Sequence, residues 1–107
     1  MNNKFMRVMV FFDLPVQTPQ QRKIACRFRK DLLNDGYYMI QFSVYGRLCN
    51  TIENANLHVN RLQYFMPHEG SVRVMMITEK QYANMKILSG ETKAEEQPVR
   101  KFQLFVF

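Results

Sequence analysis

VMVFFDLPVQTPQQRK, residues 8–23, decides how this chain is read. Five consecutive apolar residues, Val8 to Phe12, end at the carboxylate of Asp13, and Thr18, Pro19 and Gln21 follow a few residues on. The apolar run is rich in β-prone residues and too short for a buried helix, so residues 5–12 read as a central strand. Thr18 with Gln21 three residues later is a capping-box pattern, and Pro19 stands at the first helical position, where a missing N–H costs nothing. A helix is expected from Pro19 to about Asp35, stopped by Gly36, with Ile24, Ala25, Phe28, Leu32 and Leu33 on one apolar face.

Working outward, residues 37–49 (YYMIQFSVYGRLC) read as a second, long strand in which Gly46 would mark a bulge or kink. Asn50 with Glu53 forms another capping box, and Ile52, Ala55, Val59, Leu62 and Met66 recur at helical steps, so a second amphipathic helix should end near Pro67. SVRVMMIT, residues 71–78, is a third strand. Thr78 with Gln81 caps a short helix to about Met85, and residues 86–88 suggest a short fourth strand. Residues 89–98 are polar and turn-rich, whereas residues 99–107 (VRKFQLFVF) return to strand composition. The expected division is a domain over residues 1–88, a linker over 89–98 and a terminal strand over 99–107.

Strands alternating with helices imply parallel neighbours and right-handed crossovers. At 107 residues this points to an α/β (α+β) ferredoxin-like sandwich, a four-stranded sheet with two main helices on one face. The terminal strand, at the end of its linker, is expected to pair with the sheet edge of a second copy, giving a homodimer with exchanged strands.

An apolar fraction of 47% argues against disorder. No segment approaches the roughly 20 apolar residues that span a bilayer, and the N-terminal apolar run is broken by Arg7 and closed by Asp13, unlike a signal peptide. A cytoplasmic protein is expected. Cys26 and Cys49 are too few and too far apart for a metal knuckle and are expected as buried thiols in a reducing compartment.

The net charge of +6 attracts polyanions in general, so placement decides what it means. Arg22, Lys23, Arg27, Arg29 and Lys30 crowd the first helix against Asp31 and Asp35 at its end. Lys23, Arg27 and Lys30 step by four and three into one stripe, with Arg22 and Arg29 beside it. A two-fold dimer would show the stripe twice, which suits duplex nucleic acid held by its backbone. The competing reading is a solvated face whose cations serve the C-terminal end of the helix.

Asp13 ends the first strand, where open α/β sheets place functional groups. One carboxylate makes a poor Mg²⁺ site, but two copies facing each other across a dimer axis would share a hydrated ion. Alternatively, DLPV is a turn out of a strand. His58 and His68 have no partner at ligand spacing and are expected as surface or boundary residues, and Ser43 lacks the glycines of a nucleophile elbow.

Taken in order, FFDLP, RKIACRFRKDLLNDGYY, MIQFSVYGRL and ITEKQYANM resemble the CRISPR-associated protein 2 family over residues 5–88, with the tail strand placed as in that family. TEKQYANM looks most like the members from type II systems. The resemblance implies a homodimer that bridges two dimers of the CRISPR-associated protein 1 integrase and holds double-stranded DNA for insertion into the repeat array. It also implies a Mg²⁺-dependent endonuclease acting on RNA or double-stranded DNA, with Asp13 as metal ligand and catalytic residue, and Phe42 and Ser43 as an aromatic–serine pair. In several members the integration role does not need that activity. Three functions are therefore in play: a DNA-binding subunit of spacer acquisition in antiviral defence, a metal-dependent phosphodiesterase, and a toxin-like RNA interferase.

Overall fold

The sheet is where the expectation needs most revision. In the structure, a computed structural model that describes residues 4–90, its strand order is β2-β3-β1-β4 and every neighbouring pair is antiparallel. The elements are β1 (Met6–Asp13), α1 (Pro19–Asn34), β2 (Tyr38–Gln41), β3 (Val44–Cys49), α2 (Ile52–Leu62) continued by a 3₁₀ turn (Gln63–Phe65), β4 (Ser71–Thr78) and α3 (Glu79–Ala83). The ferredoxin-like α+β arrangement stands, but the expected parallel neighbours do not. Each helical crossover skips one position: β3 lies between β1 and β2, and β1 lies between β3 and β4. Residues 91–107, which include most of the expected linker and the terminal strand, lie outside the described residues.

The expected long strand over residues 37–49 is a hairpin, β2 and β3, turning at Phe42 and Ser43. Neither turn residue takes a positive φ, so the turn carries none of the Gly or Asn chemistry that announces a hairpin. The irregularity falls in β2 between Met39 and Gln41, not at Gly46. Gly46 pairs with Met9 and Tyr38, and a Cβ there would lie 2.8 Å from Ile40 Cδ1. Residues 86–88 form no strand.

Local signals set the helix ends. Thr18 caps α1 through the Gln21 N–H at 3.0 Å, and the Gln21 side chain accepts from the Thr18 N–H at 3.0 Å. At the other end the Tyr37 N–H donates to the Leu32 carbonyl and the Gly36 N–H to the Leu33 carbonyl. That pair of hydrogen bonds closes a Schellman motif, with Gly36 at φ +94° supplying the left-handed residue. The expected Asn50 cap of α2 is instead Thr51, whose hydroxyl accepts from the Asn54 N–H, while Asn50 bonds the Asn54 side chain. Thr78 and Gln81 form the expected box on α3.

Alternate residues of β1, Met6, Val8, Val10 and Phe12, share the core with Phe28 and Leu32 of α1 and Ala55 and Leu62 of α2. Phe28 meets Phe12 edge-on at 5.1 Å. Leu33, expected on the same face, is half exposed. Cys49 is buried as expected, but Cys26 is exposed, since one step past Ala25 a helical residue turns away from the core. Among the described residues no helix is long and apolar enough to cross a membrane.

The other sheet face carries Met9 and Phe11 of β1 with Met75 and Ile77 of β4, and residues 85–88 run beside it around an apolar groove of about 850 Å³. Arg7 closes one end of this face. Only 1% exposed, it donates to Glu79 through Nε (2.7 Å) and Nη2 (2.9 Å) and to the Tyr38 hydroxyl through Nη1 (2.6 Å). Its guanidinium also stacks 4.3 Å from the Tyr82 ring, so α3 is clasped onto the sheet. Burial alone would weaken this cation; the Glu79 bond, with Tyr38 and Tyr82 nearby, reverses the sign and strengthens it.

Candidate nucleic-acid interface

The cations of α1 are placed against the helix's own electrostatics. A helix is stabilised by anions in its first turn and cations in its last, yet α1 has no acidic residue in the first and no basic residue in the last. Arg22 and Lys23 stand near the N-terminal end and Asp31 near the C-terminal end. Arg22 and Lys23 therefore do not serve the helix C-terminus. Arg22 gains local support by donating to the carbonyls of Val16 (3.1 Å) and Gln17 (3.2 Å).

Four of the five expected cations, Arg22, Lys23, Arg27 and Lys30, are exposed. Arg27 approaches Asp31 at 3.6 Å with its own side chain 79% exposed, so the pair is loosely held and screened by solvent. Arg29 departs from the stripe. It is half-buried, with its guanidinium 3.8 Å from the Phe42 ring and 5.0 Å from the Phe12 ring. It braces the β2–β3 turn.

That turn stands at the same end of the sheet as Asp13, with the Phe42 ring on the α1 side against Arg29. Phe11 is in register with Val44, and the Phe12 N–H donates to the Ser43 carbonyl at 3.0 Å, so Phe42, Ser43 and Asp13 gather at one end of the sheet. Phe42 is 71% exposed and Asp13 is exposed. Asp13 pairs in register with Ser71 of β4. Gly70 lets the chains approach here: at φ +91° it has no room for a Cβ, which would lie 2.5 Å from the Asp13 carbonyl.

Strand alternation puts Asp13 on the same side as Met9 and Phe11, the side away from α1 and α2. Among the described residues no three or more His, Cys, Asp or Glu side chains gather as metal ligands. Asp13 and the neighbouring Glu69 fall short of the several oxygen ligands Mg²⁺ takes, so one chain does not complete a site at this end of the sheet.

Three features escape a reading of the sequence. Arg7 carries a usable signal, since a cation inside FMRVMVFF has to be paired if it is buried. His58, expected at the surface or boundary, is buried, and its Nδ1 lies 3.0 Å from Asp35 Oδ2. Arg61 holds the other oxygen of that carboxylate at 2.6 Å, and Arg47 Nε donates to the Asp35 carbonyl at 2.7 Å, so Asp35 ties α1 to α2 and β3. Spacing is the signal for His58, because residue 58 falls between Ala55 and Leu62 on the apolar stripe of α2. Tyr64 has none: it lies in the 3₁₀ turn beyond α2 and reaches the basic side of α1 only through tertiary structure.

The fold and the exposed cations of α1 define a small, basic ferredoxin-like domain. The family model described as CRISPR associated protein Cas2 matches residues 6–85. A protein of Acidovorax ebreus (strain TPSY) named CRISPR-associated endoribonuclease Cas2 is 51% identical over 102 residues, covering 95% of this chain and 100% of the relative. Relatives of the same name from Flavobacterium psychrophilum (44% identical; 92% of this chain, 86% of the relative) and Parvibaculum lavamentivorans (46%; 94% and 100%) agree. The chain belongs to the Cas2 family of CRISPR defence proteins.

Proposed function

We propose that the protein is the DNA-binding structural subunit of CRISPR spacer acquisition, a homodimer that bridges dimers of the CRISPR-associated protein 1 integrase and holds duplex DNA for insertion. One observation carries the reading: α1 exposes Arg22, Lys23, Arg27 and Lys30 with no acidic residue in its first turn and only a loose Arg27–Asp31 pair against them, a surface suited to an external polyanion. The open apolar face supports the pairing of two copies. Met75 is 51% exposed and Leu88 93%, a cost that a second sheet packed on this face would remove.

The test is anisotropy titration of a labelled duplex across salt concentrations. Replacing Arg22, Lys23, Arg27 and Lys30 together by Ala should flatten the log Kd against log salt slope by about 0.9 for each phosphate no longer neutralised. It should also suppress integration in the reconstituted complex. Unchanged affinity and integration would exclude the reading.

A second reading, a Mg²⁺-dependent endonuclease, is favoured by the exposed Asp13 at the end of β1 beside the β2–β3 turn and by the endoribonuclease name of the relatives. Asp13 from each of two copies would hold the ion, whose chemistry when bound is to lower the pKa of a water. Asp13 shares its sheet side with the apolar face through which copies would pack, consistent with such a half-site. Asp13→Asn should abolish cleavage while leaving duplex affinity within about twofold; cleavage equal to wild type across a Mg²⁺ titration would remove Asp13 from the chemistry.

A further inference from the structure

Beside the α1 stripe, between the helix and the segment after α2, lies a groove of about 400 Å³. Lys23 and Arg27 line its helix side, and Tyr64 and His68 the other. A second hollow of about 550 Å³ continues past Arg27 and Tyr64 to Arg61. Tyr64 borders both and is 88% exposed. Its neighbour Phe65 packs on Phe28 with ring centroids 6.0 Å apart, which anchors the turn that holds the Tyr64 ring outward. Nearby, the Gln21 side-chain amide donates to Glu69 at 3.4 Å.

Three cations, Lys23, Arg27 and Arg61, line the two hollows beside the ring. Arg27 and Arg61 keep 79% and 55% of their side chains exposed. Of the nearby anions, Asp31 is loosely paired with Arg27, Asp35 is buried under His58 and Arg61, and Glu69 accepts from the Gln21 side-chain amide. Lys23 and Arg27 stand about one helical turn apart on one face, a step comparable to that between successive phosphates of a stretched strand. Duplex DNA offers phosphates to such a surface but no free base face, whereas a single strand offers both. An exposed ring among cations therefore matches an unpaired nucleotide better than a duplex.

We propose that this groove holds a single-stranded nucleic-acid segment, one unpaired base stacking on Tyr64 and the flanking phosphates lying on Lys23, Arg27 and Arg61. The proposal rests on the reading of α1 as the nucleic-acid face and extends it from duplex backbone to unpaired bases. Stacking on an aromatic ring tolerates any base, so the subsite prefers single strands without reading their sequence.

The experiment titrates the full chain with three labelled probes: a blunt duplex, the same duplex with a thymidine tail, and the same duplex with a uridine tail. Wild type should bind a tailed probe more tightly than the blunt one. Tyr64→Ala should lose about tenfold on a tailed probe and less than about twofold on the blunt duplex, and Tyr64→Phe should restore the difference. A loss on the thymidine tail assigns DNA, a loss on the uridine tail assigns RNA, and either supports the subsite. Equal affinity of wild type and Tyr64→Ala for both tails, or an equal loss on all three probes, overturns it. Failure of the duplex reading is distinct, because there the four-cation variant would bind the blunt duplex normally.

Discussion

The two faces of the sheet are built from alternate residues of the same strands, yet their surroundings differ. On the central strand both sides are buried, Val8 and Val10 toward the helices and Met9 on the other side, whereas on the edge strand β4 Val74 and Met76 on the helix side are 36% and 38% exposed and Met75 on the other side 51%. Both faces are apolar, so β1 reads as a continuous hydrophobic run rather than an alternating one. α1 and α2 cover the centre of one face within the chain and leave its β4 edge partly open; on the other, α3 and the buried Arg7 cover one end. Apolar patterning shows that a surface needs a cover but does not name what covers it.

Mutations should separate the faces by size of effect. The largest is expected on the helix side, where Phe28→Ala opens a cavity between Phe12 and Phe65 and should cost about 3–5 kcal/mol in a denaturant titration. Second comes the covered end of the open face. Arg7→Ala removes both guanidinium bonds to Glu79 and should cost about 3 kcal/mol, while Arg7→Met combined with Glu79→Leu, which replaces both members of the pair by apolar side chains, should cost less. A double variant no better than Arg7→Ala would show packing rather than charge at work.

Alkaline pH should strike the covered regions at smaller cost. Burial pushes up the phenols of Tyr37 and Tyr38, and Asp35 adds to the effect at Tyr37. Burial also pushes up the Cys49 thiol, against the pull of the Arg47 hydrogen bond. These groups keep their protons longer when folded, so the unfolded chain loses protons first and stability falls as pH rises through the thiol and phenol range, above about 8.5. Melting followed from pH 7 to 10 should show that fall. At pH 8 iodoacetamide should label Cys26 well before Cys49.

The smallest effect on the chain's own stability belongs to the uncovered part of the open face. Met75→Asp should change it by no more than about 0.5 kcal/mol. Under the dimer reading the same change should convert the protein to a monomer in sedimentation at micromolar concentration. A dimer that survives Met75→Asp would move the interface elsewhere.

What can be read from the sequence follows from how local each signal is. The α1 cap, the Gly36 stop and the α3 box involve residues within a few positions of one another, and all three are found where expected. The β2–β3 turn is not legible because Phe42 and Ser43 turn without a positive φ, and the antiparallel order of the sheet depends on that turn. At the site, the basic face of α1 follows from helical spacing, but Arg29 does not stay on it, because Phe42 from another element supplies a ring for its guanidinium. Tyr64 joins the basic groove from 41 residues beyond Lys23, a separation no local pattern spans.

By itself, therefore, the sequence determined the main strands and helices, the caps that bound α1 and α3, and the crowding of cations on α1, because periodicity and capping act over a turn or two of chain. Tertiary structure alone decided which strands are neighbours, which cations stay in solvent, that Asp13 shares a sheet end with Phe42 and Ser43, and that an exposed ring flanks the basic stripe. Those outcomes depend on long-range packing, where a two-residue turn or a stacking partner from another element redirects a side chain that local propensity leaves free.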